Sequence, residues 1–458
     1  MKGVIGVYSR DNAVKKAINI LYGVQHRGQE SSGISAADDH SLRTWKGPGL
    51  VSKVFQEQFK SFIHTSDYMA IGCASGENAK NEHLPPFEYE NDRHKISMAL
   101  DGHISDGEGG YNEVVAAKSL LEKLERNMPE QAVSEMMKEL SESYYSLVMI
   151  IFDKMTGKSE LFVARDKRGV RPLFIGYNTD EIFVASESAP LDVLEAMGGH
   201  IDKRMDVKPG SYLVKSENRF EVREVLKPRP AHCVFEWVYF GRPDSVIEGK
   251  SVHFARKRLG HALVETHHLK EEYNVADRKF GNSALIPVPD SGRSVCTGVA
   301  EAMGVTHDEG VIKNAYLGRT YIIDDPDFRK VASDLKHNII KETVNGKRVI
   351  ICDDSIVRGT VSESVAKNLR EAGAAEVDFL VSYAPIYYPC FSDPPDKPLA
   401  AAPYRGKSLE EVGELVANNL PSIDKVRYNS PENVKRTVSL PMSHLCMFCV
   451  TGESPFER

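Results

Sequence analysis

Long hydrophobic runs are missing from these 458 residues. A stretch such as Leu147 to Phe152 falls far short of the roughly 18–20 apolar residues that cross a bilayer, so no membrane span is expected. The chain also lacks an excess of positive charge. Its 58 Lys and Arg stand against 65 Asp and Glu, a net −7, which invites neither nucleic acid nor an anionic membrane surface. The opening MKGVIGVYSRDNAVKK has one Lys, a brief apolar patch and then charges, which is no secretory signal, and a cytoplasmic protein is expected. Only seven cysteines are present, and in such a setting they suggest thiols or a metal rather than disulfides. No internal repeat or low-complexity tract stands out. The length suggests two or three domains with ample volume for real cores.

The most informative stretch that is present is VIICDDSIVRGT, Val349 to Thr360. An apolar run ends in two adjacent carboxylates, then a short loop, then the helical stretch Val361 to Ala372. Free backbone N–H groups and the helix dipole make the start of such a helix an anion site. Asp353 and Asp354 would accept from the paired 2- and 3-hydroxyls of a ribose. The loop Ser355, Ile356, Val357, Arg358, Gly359 and Thr360 would wrap its 5-phosphate. This pattern resembles the signature with which type I phosphoribosyltransferases bind 5-phosphoribosyl 1-pyrophosphate (PRPP).

The first half reads as strands with helices between. Strands are expected at Val4 to Val7, Leu147 to Phe152, Leu161 to Ala164 and Ile182 to Ala185, and helices at Val14 to Leu21 and Asn112 to Glu125. Met98 to Leu100 leads into an expected turn at Asp101-Gly102. Two prolines near Lys227 to Ala231 mark a junction, giving domains 1–228 and 229–458. Beyond it strand and helix alternate: Ala284 to Val288, Val295 to Met303, Val349 to Cys352, Val361 to Ala372, Val377 to Val381, with Gly373 at a helix end. That alternation implies a parallel sheet with ligands at the carboxyl ends of its strands, where the acid pair lies.

Several further motifs extend the resemblance over nearly the whole chain. They are QHRGQESSG (Gln25 to Gly33), GPGLVSKVF (Gly47 to Phe55), ARDKRGVRPL (Ala164 to Leu173) and ASESAPLD (Ala185 to Asp192). Beyond the junction come CVFEWVYFGRPDS (Cys233 to Ser245), LIPVPDSG (Leu285 to Gly292) and KNAYLGRTYI (Lys313 to Ile322). Together with the acid-pair loop they resemble the glutamine PRPP amidotransferase family, which makes 5-phosphoribosylamine in purine synthesis. The resemblance implies an α+β N-terminal-nucleophile sandwich of the class II glutamine amidotransferase type, followed by an α/β type I phosphoribosyltransferase domain. A homo-oligomer is expected.

Departures cluster in the glutaminase half. The family's nucleophile is a cysteine in front of a GIVG-like strand; here Lys2 precedes Gly3-Val4-Ile5-Gly6. An ammonium cannot form the thioester intermediate. The arginine that holds the glutamine carboxylate in the family is replaced by Ser75, within Gly72 to Gly76. The oxyanion-loop asparagine becomes Asp101, followed by Gly102, and a carboxylate there repels a developing oxyanion. The amine-binding segment is shortened, with Tyr111-Asn112-Glu113 near its place. Four losses in one pocket imply that glutamine hydrolysis is gone. Cys73 is expected to be core rather than a substitute nucleophile, since an internal cysteine has no α-amine as base and small thiols are commonly buried.

The transferase half is better kept. Asp290, Ser291 and Gly292 match the family's pyrophosphate loop, and the resemblance implies Mg²⁺ held by Ser291, Asp353 and Asp354, a set suited to that ion. Lys313, Tyr316 and Arg319 fall in its lid as the catalytic candidates. Wear is visible even here: Ala315 replaces a lid arginine, Val361 replaces the second loop threonine, and the basic stretch after the lid reads FRKVASDLKH, Phe328 to His337. Cys233, Cys390, Cys446 and Cys449 occupy the positions that bind a [4Fe–4S] cluster in iron–sulfur members, although the C-x2-C pair alone is also compatible with zinc. Such a cluster would tie the C-terminal tail to both halves of the transferase domain. Cys296 and Cys352 are expected to be packing. Two readings stay open: an enzyme joining PRPP to free ammonia or another amine acceptor, with a partner protein as one source of the ammonia, or a silent PRPP-binding homologue that regulates or scaffolds. A glutamine-using enzyme rescued by a partner subunit is the remaining alternative.

Overall fold

A computed structural model gives the architecture. It describes residues 1–76, 84–104, 112–273, 275, 282–314, 337–391 and 398–456. The first half is a sandwich of two antiparallel sheets. One runs, in spatial order, Lys203–Asp206, Phe174–Tyr177, Ile182–Ala185, Lys2–Tyr8, Met69–Ser75, Ser31–Ala37 and Leu42–Pro48. The other runs Arg219–Glu224, Ser211–Ser216, Ser159–Arg165, Tyr144–Asp153, His94–His103 and Phe87–Glu90.

Alternation explains the layering, because successive side chains of a strand point to opposite faces. Val4, Ile71, Cys73, Ala99, Val148, Ile150, Val163 and Leu213 meet between the sheets. Ile5, Val7, Ile34, Ala70 and Phe183 face outward and are covered by the helices Ala13–Gly23 and Ala189–Ala196. Met98, Leu100, Leu147 and Met149 are covered on the other side by Asn112–Leu124 and Pro129–Glu139. Gly6 is required where the sheets touch, since a Cβ there would sit 2.7 Å from the Val148 side chain. Cys73 is fully buried in this inter-sheet core, as expected of it.

The expected turn at Asp101-Gly102 is not formed. The strand His94–His103 continues through both residues, pairing Asp101 with Ser146 and Gly102 with Tyr145. A turn would have used the Asp101 carboxylate locally; instead it is engaged by distant groups, described below.

The second half holds a parallel sheet in the order Ser283–Pro287, Arg348–Asp353, Glu376–Val381, Lys425–Tyr428. Ile286, Val349, Ile351, Phe379 and Val381 pack beneath helices Thr360–Glu371 and Leu409–Asn418. Leu285, Ile350, Cys352 and Leu380 face Val252–Thr266 and Arg293–Met303, and Cys296 joins them. Burial on both faces accounts for the unbroken VIIC run. Among the described residues, no helix is long and apolar enough to cross a membrane.

Candidate functional site

The acid pair sits where the second strand of the parallel sheet ends. Asp353 closes Arg348–Asp353, and both carboxylate residues are 5% exposed. Backbone contacts fix them: Ser382 and Tyr383 N–H groups donate to the Asp353 and Asp354 carbonyls, each at 2.9 Å. The Asp354 N–H donates to Asp353 Oδ1 at 2.8 Å, and the Ser291 hydroxyl reaches the same oxygen at 3.1 Å. The Ser355 hydroxyl donates to Asp354 Oδ2 at 2.5 Å. Burial, with the charge of Asp354 beside it, pushes the Asp353 carboxyl well above its usual range; burial likewise raises Asp354, although hydroxyl bonds from Ser355 and Ser291 work against it. Two crowded carboxylates with a hydroxyl between them suit a divalent cation, which would relieve their repulsion.

The loop then crosses to its helix. Gly359, at φ +81°, makes the left-handed step that starts Thr360–Glu371. Ile356 is 2% exposed in the core, so only its backbone is left to face a ligand, whereas Arg358 and Thr360 are exposed. Val361, 57% exposed, presents an apolar side chain at the helix start. Gly292 packs directly on the strand end, where a Cβ would lie 2.1 Å from the Cys352 carbonyl oxygen. Lys313 pairs with the exposed Asp290 at 3.2 Å, which brings this lid candidate to the loop Asp290 to Gly292. Tyr316 and Arg319 lie outside the described residues.

At the end of the sandwich that meets the connecting segment lies a second constellation. Lys2 opens the central strand of one sheet and Asp101 lies near the end of a strand in the other. The Lys2 N–H donates to Asp101 Oδ1 at 2.9 Å, and its side-chain ammonium binds Glu113 at 2.5 Å. Ser75 is the strand neighbour of Lys2. Arg27 approaches Asp101 at 3.7 Å, as does Arg171. Arg27 also holds Glu187 at 2.7 Å and grips Glu236 with two bonds of 2.8 and 3.0 Å. Burial acts to raise the Asp101 carboxyl, but the charges of Arg171 and Arg27 overcome it and hold the group below its ordinary value. Burial of Glu187 is likewise outweighed, by the His26 bond and the Arg27 charge. Of the expected degenerate positions, Lys2, Ser75, Asp101 and Gly102 gather here, while Tyr111 lies outside the described residues. Glu113, Arg27, Glu187 and Glu236 were not singled out as site residues. The readable signal was complementary charge: Lys2 and Glu113 are of opposite sign and pair in one pocket.

The third group is the cysteines. Cys233 and Cys446 are paired across a short parallel ladder. The Cys233 thiol is driven up by burial and then by Cys446 and Cys390; Cys449, also held up by burial to about 12, feels Cys390 and Cys446 and lies 3.3 Å from the Tyr383 hydroxyl. The four are therefore neighbours, and none of them is in a disulfide. Among the described residues, the single group of three or more His, Cys, Asp or Glu ligand atoms within 4.8 Å of one another is Asp38, His64 and Asp67, which already carries Arg43. No three of the cysteine sulfurs are that close, whereas ligands of one zinc lie within about 4.6 Å, twice the Zn–S bond. The tail reaches beyond the transferase half: Arg168 donates to the Pro455 carbonyl at 3.0 Å, and the Cys233 N–H donates to Val170 at 3.3 Å.

No family model matches the chain. It is 32% identical over 477 residues to the amidophosphoribosyltransferase of Methanothermobacter thermautotrophicus, covering 99% of this chain and 94% of that one. A solved structure of the allosteric regulatory enzyme of purine biosynthesis superposes with a TM-score of 0.82 at 28% identity, covering 99% and 96% of the two chains. Another, glutamine PRPP amidotransferase from B. subtilis complexed with ADP and GMP, gives 0.81 at 29% identity, covering 99% and 97%.

Proposed function

Because the chain belongs to the amidophosphoribosyltransferase family, we propose that it transfers the phosphoribosyl group of PRPP to free ammonia or another small amine without hydrolysing glutamine. Family membership makes it a phosphoribosyltransferase of purine synthesis; the nitrogen source is the finer reading. The observation that carries it is the contrast between two sites. The acid pair, its loop and its helix start are assembled for a ribose phosphate, while Lys2 and Glu113 neutralise each other where the nucleophile and the amine clamp would work.

In this reading Asp353 and Asp354 orient the ribose hydroxyls, and the backbone amides of the loop and helix start hold the 5-phosphate. The Ser291-Gly292 loop meets the pyrophosphate. As the bond to pyrophosphate breaks, positive charge grows at ribose C1, and the two carboxylates favour it while the amine adds from the opposite face. Lys313, paired with Asp290, would offer its ammonium to the departing pyrophosphate. Ser291, Asp353 and Asp354 would hold Mg²⁺, which would offset the charge of the leaving group. Cys233, Cys390, Cys446 and Cys449 would hold a [4Fe–4S] cluster as a crosslink between the tail and both domains.

Pyrophosphate release from PRPP, followed with ammonium, glutamine and a panel of amines, tests this. Turnover with ammonium at alkaline pH and none with glutamine is expected. Turnover with glutamine in the purified chain would overturn it, and binding without turnover for any amine would make the chain a silent PRPP-binding homologue.

A further inference from the structure

Two of the motifs that carry the resemblance meet between the halves, and both are fully engaged there. Arg27, from QHRGQE, and Glu236, from CVFEWVYF, are 0% and 1% exposed at the side chain and meet across the junction between the halves. Their two bonds, at 2.8 and 3.0 Å, make a forked guanidinium–carboxylate contact, and Arg171 adds a third at 3.3 Å. The glutaminase-like half grips the rest of this connecting segment too. Glu187 accepts from the Arg242 N–H and the Ser245 hydroxyl, each at 2.8 Å, and the Ser188 hydroxyl accepts from the Val246 N–H at 2.7 Å.

The transferase half holds the same segment at several points, among them the Val234 N–H on the Cys446 carbonyl and the His253 N–H on the Pro243 carbonyl, and Arg256 binds it twice. Arg256, on the helix Val252–Thr266, donates to the Trp237 carbonyl at 2.9 Å and to the Gly241 carbonyl at 2.7 Å. It is 2% exposed. That helix lies backbone to backbone on Arg293–Met303, the helix that follows the pyrophosphate loop. A Cβ on Gly260 would sit 2.3 Å from the Val295 carbonyl oxygen, and one on Gly298 would sit 2.1 Å from that of Lys257. Helices in such contact cannot slide independently. A displacement of residues 236–241 therefore reaches Ser291 through Arg256 and the paired helices.

We infer that the Arg27–Glu236 clamp is a positioning device for the PRPP site, so that the glutaminase-like half survives as a cradle that sets the connecting segment beneath Arg256. The inference rests on PRPP binding at Asp353 and Asp354, and the test separates the two. Mg-PRPP affinity by calorimetry and the thermal midpoint of the ligand-free protein are measured on the full chain for wild type, Arg27→Met, Glu236→Met and the double variant. Each single change strands a buried charge and should lower the midpoint; removing both partners should recover the part owed to the pair, while Glu187 and Asp101 still lose Arg27. Affinity should behave differently, staying about tenfold weaker in the double variant, since a small misplacement of site residues is enough for that loss. A double variant that regains wild-type affinity along with its midpoint would show a merely structural role and overturn the inference. If that variant does not fold, Glu236→Gln decides, keeping the shape without the charge: weaker affinity supports the clamp and unchanged affinity overturns it. Wild type that does not bind Mg-PRPP removes the reading beneath, and the inference with it.

Discussion

The Lys2 ammonium lies 2.5 Å from the Glu113 carboxylate, with 5% and 2% of the two side chains exposed. A charge placed so deeply is tolerable only with its partner. Lys2→Met should therefore cost roughly 3–5 kcal/mol in denaturant unfolding, because Glu113 is left buried and uncompensated. Lys2→Met combined with Glu113→Leu should recover most of that loss. A double variant no more stable than the single one would show that the pair is not the relevant unit.

Restoring the nucleophile alone should not restore the reaction. In Lys2→Cys the thiol would face Glu113, whose charge opposes thiolate formation, and Asp101, whose charge opposes the oxyanion. Ser75 offers no cation for the glutamine carboxylate. Glutamate release from glutamine should stay at buffer level in this variant, with or without PRPP. Stoichiometric labelling of the introduced thiol by a glutamine-analogue affinity reagent would contradict that.

How much of this was legible beforehand differs by region. The parallel sheet was readable because Val349 to Cys352 is buried on both faces and so forms an unbroken apolar run, and Val377 to Val381 is apolar but for Asp378. The strands Ser31–Ala37 and Met69–Ser75 went unread, since SSGISAA and MAIGCAS carry few of the β-branched and aromatic residues that mark a strand; packing between sheets admits small residues there. The acid pair and its loop are contiguous in sequence, which is why they could be found. Lys2, Arg27, Asp101, Glu113, Glu187 and Glu236 are joined only by folding. Asp101-Gly102 reads locally as a turn, and the distant Arg27, Arg171 and Lys2 override that preference.

Acid should expose the Asp101 contribution. Its folded pKa lies below the ordinary value, so the stability it adds is complete above about pH 4 and is lost as pH falls through the folded value. Unfolding measured from about pH 7 to pH 3 should show Asp101→Asn less stable than wild type at neutrality, with the gap closing toward the acid end. A gap independent of pH would mean that the carboxylate charge is not what the two arginines need.

The cysteines give a compositional test. Purified anaerobically, the protein should be brown with about four irons per chain. Cys449→Ser should lose iron and lower the thermal midpoint, since a cluster there would join Cys233, beside Val170, to the tail that reaches Arg168. A colourless protein with one zinc would replace the cluster by a zinc site.

Mg-PRPP should stabilise the folded chain. Ligand at about a hundred times its dissociation constant adds roughly 2.7 kcal/mol when it binds the native state alone. Asp354→Asn keeps the shape but turns a charged acceptor into a neutral amide, so binding should weaken by about 1–3 kcal/mol. The same change removes one of two crowded carboxylates, so the ligand-free variant should be no less stable than wild type. Opposite movements of ligand-free stability and affinity would separate a binding carboxylate from a structural one. If both fall together, Asp354 is holding the strand end rather than the ribose. If wild type shows no shift at millimolar Mg-PRPP, the acid pair is not a ribose site, and the fold has outlived its ligand.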